Sequence, residues 1–139
     1  TARLFLRKGR KMACGAGLFL RESADEGTGI WMETCALTRI GRQAAARPWE
    51  FVEEDRIAPV CAGYAGMTAD EWHDMRLLIR GTMFELYMDD RYVQTFNTAH
   101  HPGIPGIAPR QIGFMVHNGS LQVEDLTIRR MTLEGIPTN

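Results

Sequence analysis

The chain has 139 residues, of which 45% are hydrophobic and 24% charged, with 16 basic against 17 acidic side chains and a net charge of −1. That length fits one domain, able to bury roughly two-thirds of its unfolded surface without a disulfide scaffold. The balanced charge makes no electrostatic case for nucleic acid as a partner, and no apolar run approaches the ~20 residues a membrane helix requires.

The first apolar run is Ala2-Arg3-Leu4-Phe5-Leu6, and the basic run Arg7, Lys8, Arg10, Lys11 after it reads as a solvated turn between strands. Gly15 to Arg21 is a second run, whose length and glycine punctuation suit a buried strand. A polar loop from Glu22 to Gly29 leads to Ile30-Trp31-Met32-Glu33-Thr34-Cys35, and Ala36 to Gly41 adds a further short strand. Gln43 to Arg47 is rich in alanine but is cut short by Pro48, too soon for a stable helix. Trp49 to Val52 reads as a strand, and Glu53 to Glu71 mostly as loop.

From Trp72 the pattern sharpens. Met75, Leu77 and Ile79 alternate with their neighbours, Gly81-Thr82 makes a tight turn, and Phe84, Leu86 and Met88 alternate again. Asp89-Asp90-Arg91 is a polar tip before Tyr92 to Phe96, and Asn97 to Pro109 is a long proline-bearing connection. Ile112, Phe114 and Val116 form the next inward face. Asn118-Gly119 then reads as a hairpin turn, with Leu121 to Arg129 as its return strand and a bulge at Glu124-Asp125. About ten short strands without a long helix predict an all-β fold, a two-sheet antiparallel β-sandwich spanning 1–139.

Strand parity sends the Asp89-Asp90-Arg91 and His117-Asn118-Gly119 tips to one end of such a sandwich, taking 92–97 and 111–116 as antiparallel neighbours. Carboxylates, a guanidinium, an imidazole and an amide at one rim suit the recognition of sugar hydroxyls. Hairpin tips are also polar simply because they face water. A second group is Arg21, Trp31 and Glu33. In one register the three share a face, and an indole between two charged groups holds a sugar ring. In the register one residue away Arg21 and Glu33 point to opposite faces. The alternative is that Trp31 is core and the two charges form an exposed cross-strand ion pair. Trp49 and Trp72 read as inter-sheet core, the methionines as core filling, and His100-His101 as solvated.

Cys14, Cys35 and Cys61 are an odd number without short metal spacing. Buried thiols are expected, with a Cys14–Cys35 bridge across the hairpin as the alternative. The sequence lacks a nucleophile elbow, a phosphate loop and a zinc-binding His-Glu-x-x-His motif, so catalysis has no motif behind it. No cofactor is expected, and no loop has a decisive calcium-ligand spacing, although structural calcium is compatible with such sandwiches. The chain opens on Thr1 rather than methionine and shows no signal peptide, the expectation for a processed product or a piece of something longer.

Gly15-Ala16-Gly17-Leu18-Phe19-Leu20-Arg21 followed by Gly29-Ile30-Trp31, the hairpin Phe84 to Val93, and Ile112-Gly113-Phe114-Met115-Val116 occur in an order that resembles concanavalin-like sandwiches. The nearest in pattern are the C-terminal β-sandwiches of family 32 glycoside hydrolases and the related family 66 carbohydrate-binding modules. The resemblance covers Leu4 to Leu133 apart from 43–71. It implies a concanavalin-like jelly roll and a secreted, non-catalytic carbohydrate-binding module for fructan or another plant or microbial polysaccharide, linked to a catalytic domain. The alternative is a structural sandwich that only packs against that domain. Arg21 is the best-matched contact, followed by Asp90 and the His117-Asn118 tip, where His117 replaces an aromatic residue of the family pattern.

Overall fold

The computed structural model describes residues 1–10, 14–21, 27–34, 38–43, 59–61, 63–81, 83–97 and 111–130, with backbone alone at 21, 27–28, 33, 39–43, 59–61 and 97. The described residues form ten strands and no helix: β1 (Ala2–Lys8), β2 (Gly15–Arg21), β3 (Gly27–Glu33), β4 (Arg39–Gln43), β5 (Pro59–Cys61), β6 (Trp72–Arg80), β7 (Met83–Met88), β8 (Arg91–Asn97), β9 (Gln111–His117) and β10 (Gly119–Glu124). They pair into a six-stranded sheet, ordered β10-β1-β6-β7-β8-β5, and a four-stranded sheet, ordered β4-β3-β2-β9. All eight pairings are antiparallel.

Alternation explains why these segments become two-faced strands. Ala2, Leu4 and Leu6 of β1, Met75 of β6, and Phe84, Leu86 and Met88 of β7 are buried, while their odd- or even-numbered neighbours are more exposed. The four-stranded sheet contributes Ala16, Leu18, Leu20, Ile30 and Met32 to the same cluster. One core drawn from both sheets is consistent with a β-sandwich. Met32, Met67, Met75 and Met88 fill that core as expected, but Met83 is exposed.

Turn chemistry sets several corners. Met88 pairs with Arg91, so the β7–β8 loop is the two residues Asp89-Asp90, both at positive φ (51° and 59°). A paired positive-φ loop matches the twist of the strands it joins. Gly81, at φ 58°, serves the β6–β7 loop. In β8 the register shifts between Leu86 and Tyr87: Leu86 faces Gln94 and Tyr87 faces Tyr92, leaving Val93 as the extra residue of a bulge. Thr1 and Thr127 exchange backbone hydrogen bonds, one residue out of step with the Arg3–Glu124 pair. The slack lies at Asp125, at φ 51°, so the expected bulge is present and ends β10.

Four expectations change. Asn118 takes the expected positive φ (54°), but Asn118-Gly119 is a crossover between sheets rather than a hairpin turn. β9 pairs with β2 and β10 with β1, because each strand's apolar side finds the core from a different layer. β9 is accordingly no neighbour of β8. Within the expected loop 53–71, Pro59–Cys61 pairs with β8 at the sheet edge, the position where a strand tolerates proline. Trp72 is not inter-sheet core: it shares the outward side of β6 with Asp74 and Arg76, opposite buried His73 and Met75. The strand expected at Trp49 to Val52 and the His100-His101 loop lie outside the described residues.

Candidate functional site

The outward side of β6 carries Trp72, Asp74 and Arg76, and cross-strand pairing sets Trp72 and Asp74 beside β1 and Arg76 beside β7. Trp72 faces Phe5, with ring centroids 5.3 Å apart and the planes tilted by 54°. The Arg3 guanidinium carbon sits 4.9 Å from the centre of the Trp72 ring. Three carboxylates hold that guanidinium there: Asp74 at 3.5 Å, Glu124 at 3.8 Å and Asp125 at 4.0 Å. Exposed pairs of this kind add about 0–1 kcal/mol each, so their consequence is orientation more than stability.

A second row crosses three strands. Arg76 faces Tyr87, its guanidinium carbon 4.4 Å from the ring centre, and Tyr87 meets Tyr92 edge-on at 5.8 Å and 72°. The Val93 bulge brings Tyr92 opposite Tyr87. The Tyr92 hydroxyl is anchored on Thr95 Oγ1 at 2.7 Å, and the Tyr87 hydroxyl donates to Glu85 at 3.5 Å. Trp72 is 36% and Tyr92 42% exposed. Four residues of β6 and two strand spacings separate the rows, a span of about 16 Å. The face therefore offers two accessible aromatic rings with guanidinium and carboxylate groups between them.

The residues singled out from sequence fall elsewhere. Gly17 pairs with Trp31, Gly15 with Glu33 and Arg21 with Gly27, so Arg21, Trp31 and Glu33 share the outward face of the four-stranded sheet. The Arg21 and Glu33 side chains lie outside the described residues. Trp31 is only 7% exposed, lies against Gly17, and meets the His117 ring edge-on at 6.1 Å. Trp31 and His117 are thus brought together. Asn118 accepts the Gly9 N–H through its carbonyl at 2.8 Å. Asp90 is on the other sheet, exposed at the β7–β8 loop. The two tips point to the same end, but through the antiparallel path β7-β6-β1-β10 and not through β8 and β9, which are not neighbours. They are about 20 Å apart, because five residues of β1 and three strand spacings separate Asp74–Asp89 from Lys8–Gly119.

A further polar array sits at the core edge. His73, 5% exposed, places Nδ1 2.7 Å from Asp89 Oδ2 and accepts the Thr68 N–H on Nε2 at 3.0 Å. That network assigns the neutral Nδ1–H tautomer. Thr68 Oγ1 is also 3.0 Å from Nε2, giving the acid–imidazole–hydroxyl order of a nucleophile relay. However, the Thr68 hydroxyl donates to Glu71, and the Nε2 lone pair already receives the backbone N–H. The array therefore clips the segment before β6 to the β7–β8 loop and leaves no base free to take the hydroxyl proton. Parity with Met75 marks His73 as inward-facing in the sequence, but its partners are remote. Among the described residues no three His, Cys, Asp or Glu side chains gather as a metal-ion site. No helix long and apolar enough to cross a membrane occurs among them.

Comparison with protein-family models, curated proteins and solved structures finds no match to this chain. What its own geometry defines is an all-β protein of two antiparallel sheets over a shared core, with an aromatic and charged outer face on the larger sheet.

Proposed function

We propose that the chain is a non-catalytic glycan-binding β-sandwich whose ligand lies on the outer face of the six-stranded sheet. One observation carries the reading: Trp72 and Tyr92 are both exposed on that face, beside guanidinium groups already held over aromatic rings. Aromatic planes take the C–H faces of sugar rings, and charged groups beside them bond the hydroxyls. The concanavalin-like jelly-roll resemblance supports the same reading and extends it to a secreted accessory module of a glycoside hydrolase, with fructan among its polysaccharides.

The structural-sandwich alternative has its own support in Val116 near the end of β9 and in Leu126 and Ile128 after β10, which are 45%, 49% and 68% exposed. Exposed apolar residues there suit packing against a linked domain. Calorimetric titration against levan, inulin, xylan, β-glucan and polygalacturonate separates the two. A shallow site gives micromolar to millimolar affinity, about 4–8 kcal/mol, weakened at least tenfold by Trp72→Ala or Tyr92→Ala. Weakening by Arg21→Ala or Asp90→Ala instead moves the site to those positions. Absence of binding across the panel overturns the glycan reading and leaves the packing one.

A further inference from the structure

The six-stranded sheet ends at β10, and its edge continues past the Asp125 bulge into the segment 126–130. Thr127 directs both backbone groups at Thr1, accepting from its terminal ammonium at 2.8 Å and donating to its carbonyl at 2.9 Å. Successive residues of an extended chain bond to opposite sides, so Leu126 and Ile128 turn their N–H and C=O groups to the open side. Neither has a backbone partner among the described residues, and both side chains are exposed. Thr1 precedes buried Ala2, so pairing with it sets Thr127 on the outward face and the two apolar residues on the face that covers the core. An unpaired edge with apolar side chains is a template for another strand.

The order of charges along the edge selects that strand. Glu124 and Asp125 precede Leu126, and Arg129 and Arg130 follow Ile128. Run antiparallel against itself about Thr127, the segment sets Leu126 opposite Ile128. The bulge leaves Asp125 as the extra residue, since Arg3 pairs with Glu124 and Thr1 with Thr127, and this brings Glu124 opposite Arg129. Glu124 shares the outward face with Arg3, and Arg129 shares it with Thr127 by alternation, so the unlike charges meet on one side of the sheet. The same register makes Leu126 and Ile128 the hydrogen-bonded pair and leaves Thr127 unbonded across the axis, the parity that Thr1 has already imposed. A parallel arrangement sets like charges side by side. Arg3 engages the Glu124 carboxylate only at 3.8 Å, on a side chain that is 54% exposed, so it is accessible to a second cation.

We propose that this edge pairs with the same edge of a second copy, forming a two-fold symmetric dimer with one sheet continuous across it. The two-fold axis of such an antiparallel pair is perpendicular to the sheet, so the aromatic outer faces of both copies lie on the same side. The inference stands apart from the glycan reading; where that reading holds, the dimer offers a polymer two faces at once.

Sedimentation equilibrium of the full chain without glycan, at about 10 µM to 1 mM, tests the pairing. The apparent mass is expected to rise from the 15.7 kDa of one chain towards twice that value. Arg129→Glu and Glu124→Lys each oppose like charges at both symmetry-related contacts, and each alone is expected to weaken association about tenfold. An equimolar mixture of the two variants restores it, because in the mixed dimer every acid again faces a base. Urea midpoints of the single variants are expected to match the parent's, since both side chains are exposed. The mass of one chain at every concentration overturns the proposal and leaves the edge to a linked domain. Dimers that ignore the single substitutions, or single variants that stay apart when mixed, overturn it by placing the interface elsewhere.

Discussion

His73 Nδ1 lies 2.7 Å from Asp89 Oδ2, joining the start of β6 to a loop residue held at positive φ. The other carboxylate oxygen of Asp89 accepts the Asp74 N–H at 2.9 Å, and the Asp89 N–H donates to the Asp74 carbonyl at 2.8 Å. One acidic side chain therefore fixes the β7–β8 loop against the start of β6, the strand paired with β7. Replacing it by alanine leaves the Nδ1–H of a buried imidazole without an acceptor, a loss of about 1–3 kcal/mol. Asp89→Asn keeps an acceptor oxygen and tolerance of the left-handed conformation, so it costs less. Urea unfolding of the two variants is expected to rank them in that order.

The same carboxylate gives a pH dependence. Partial burial pushes its pKa up, but the hydrogen bonds from His73 and the Asp74 N–H, with the positive charge of Arg91, outweigh that. The folded group accordingly titrates below its ordinary value of 3.8. Folding thus favours the ionised form; the stabilisation is complete above the unfolded value and is lost as pH falls through the lower folded one. The difference in urea midpoint between the parent chain and Asp89→Asn is expected to be constant near neutrality and to shrink below pH 3.8. A difference that grows on acidification contradicts the assignment.

Gln94 is fully buried on β8, opposite Leu86, and among the described residues neither its amide nitrogen nor its amide oxygen has a hydrogen-bond partner. Burying such groups unsatisfied costs about 1–3 kcal/mol. Gln94→Met keeps the length and removes both polar atoms, so thermal and urea unfolding are expected to show a gain of about 1–2 kcal/mol. Destabilisation by this substitution instead reveals a polar partner for the amide in solution.

Much of this architecture is legible in the alternation of 72–88, because a buried face with period two leaves one choice of inside. Applied to Trp72, that parity places it outward, beside Asp74 and Arg76. The general tendency of tryptophan to be buried points the other way, and the local pattern prevails. Sheet membership of β9 is not legible, since alternation states which side faces the core but not which strand lies alongside. The row Arg76–Tyr87–Tyr92 depends on the bulge at Val93, and nothing in Tyr92-Val93-Gln94-Thr95 announces it. Arg21, Trp31 and Glu33 share a face only because Gly17 pairs with Trp31, the one-residue choice that composition leaves open.

Cys14 is a free thiol, 1% exposed, with its sulfur 3.9 Å from the Thr34 hydroxyl. Alkylating reagents need access to the sulfur, so Cys14 is expected to stay unlabelled in the native protein and to react fully in denaturant. Peptide mapping after iodoacetamide treatment reads this residue separately from the other two cysteines. Labelling of Cys14 at the rate of a free small-molecule thiol contradicts its place in the core.

Three glycines separate the causes for which this chain uses the residue. A β-carbon on Gly17 falls 2.7 Å from Met115 Cε, 2.8 Å from the Ile30 carbonyl oxygen and 2.8 Å from the Trp31 ring. The carbonyl belongs to the β3 backbone and the indole is buried, so neither gives way cheaply. On Gly113 it falls 2.5 Å from the Phe19 ring, a half-buried side chain able to swing outward. On Gly81 it meets nothing within 4 Å, but φ is 58°, which costs a non-glycine residue about 1–2 kcal/mol. Alanine at the three sites is therefore expected to destabilise most at Gly17, by about 2–3 kcal/mol as for an overpacked core position. Gly113→Ala and Gly81→Ala fall nearer 1–2 kcal/mol. Only Gly17→Ala is expected to shift the near-ultraviolet circular dichroism band of Trp31, because only that substitution presses on the indole. Equal costs at all three positions, with no change in that band, contradict the packing of Trp31 over Gly17 and with it the burial of the indole.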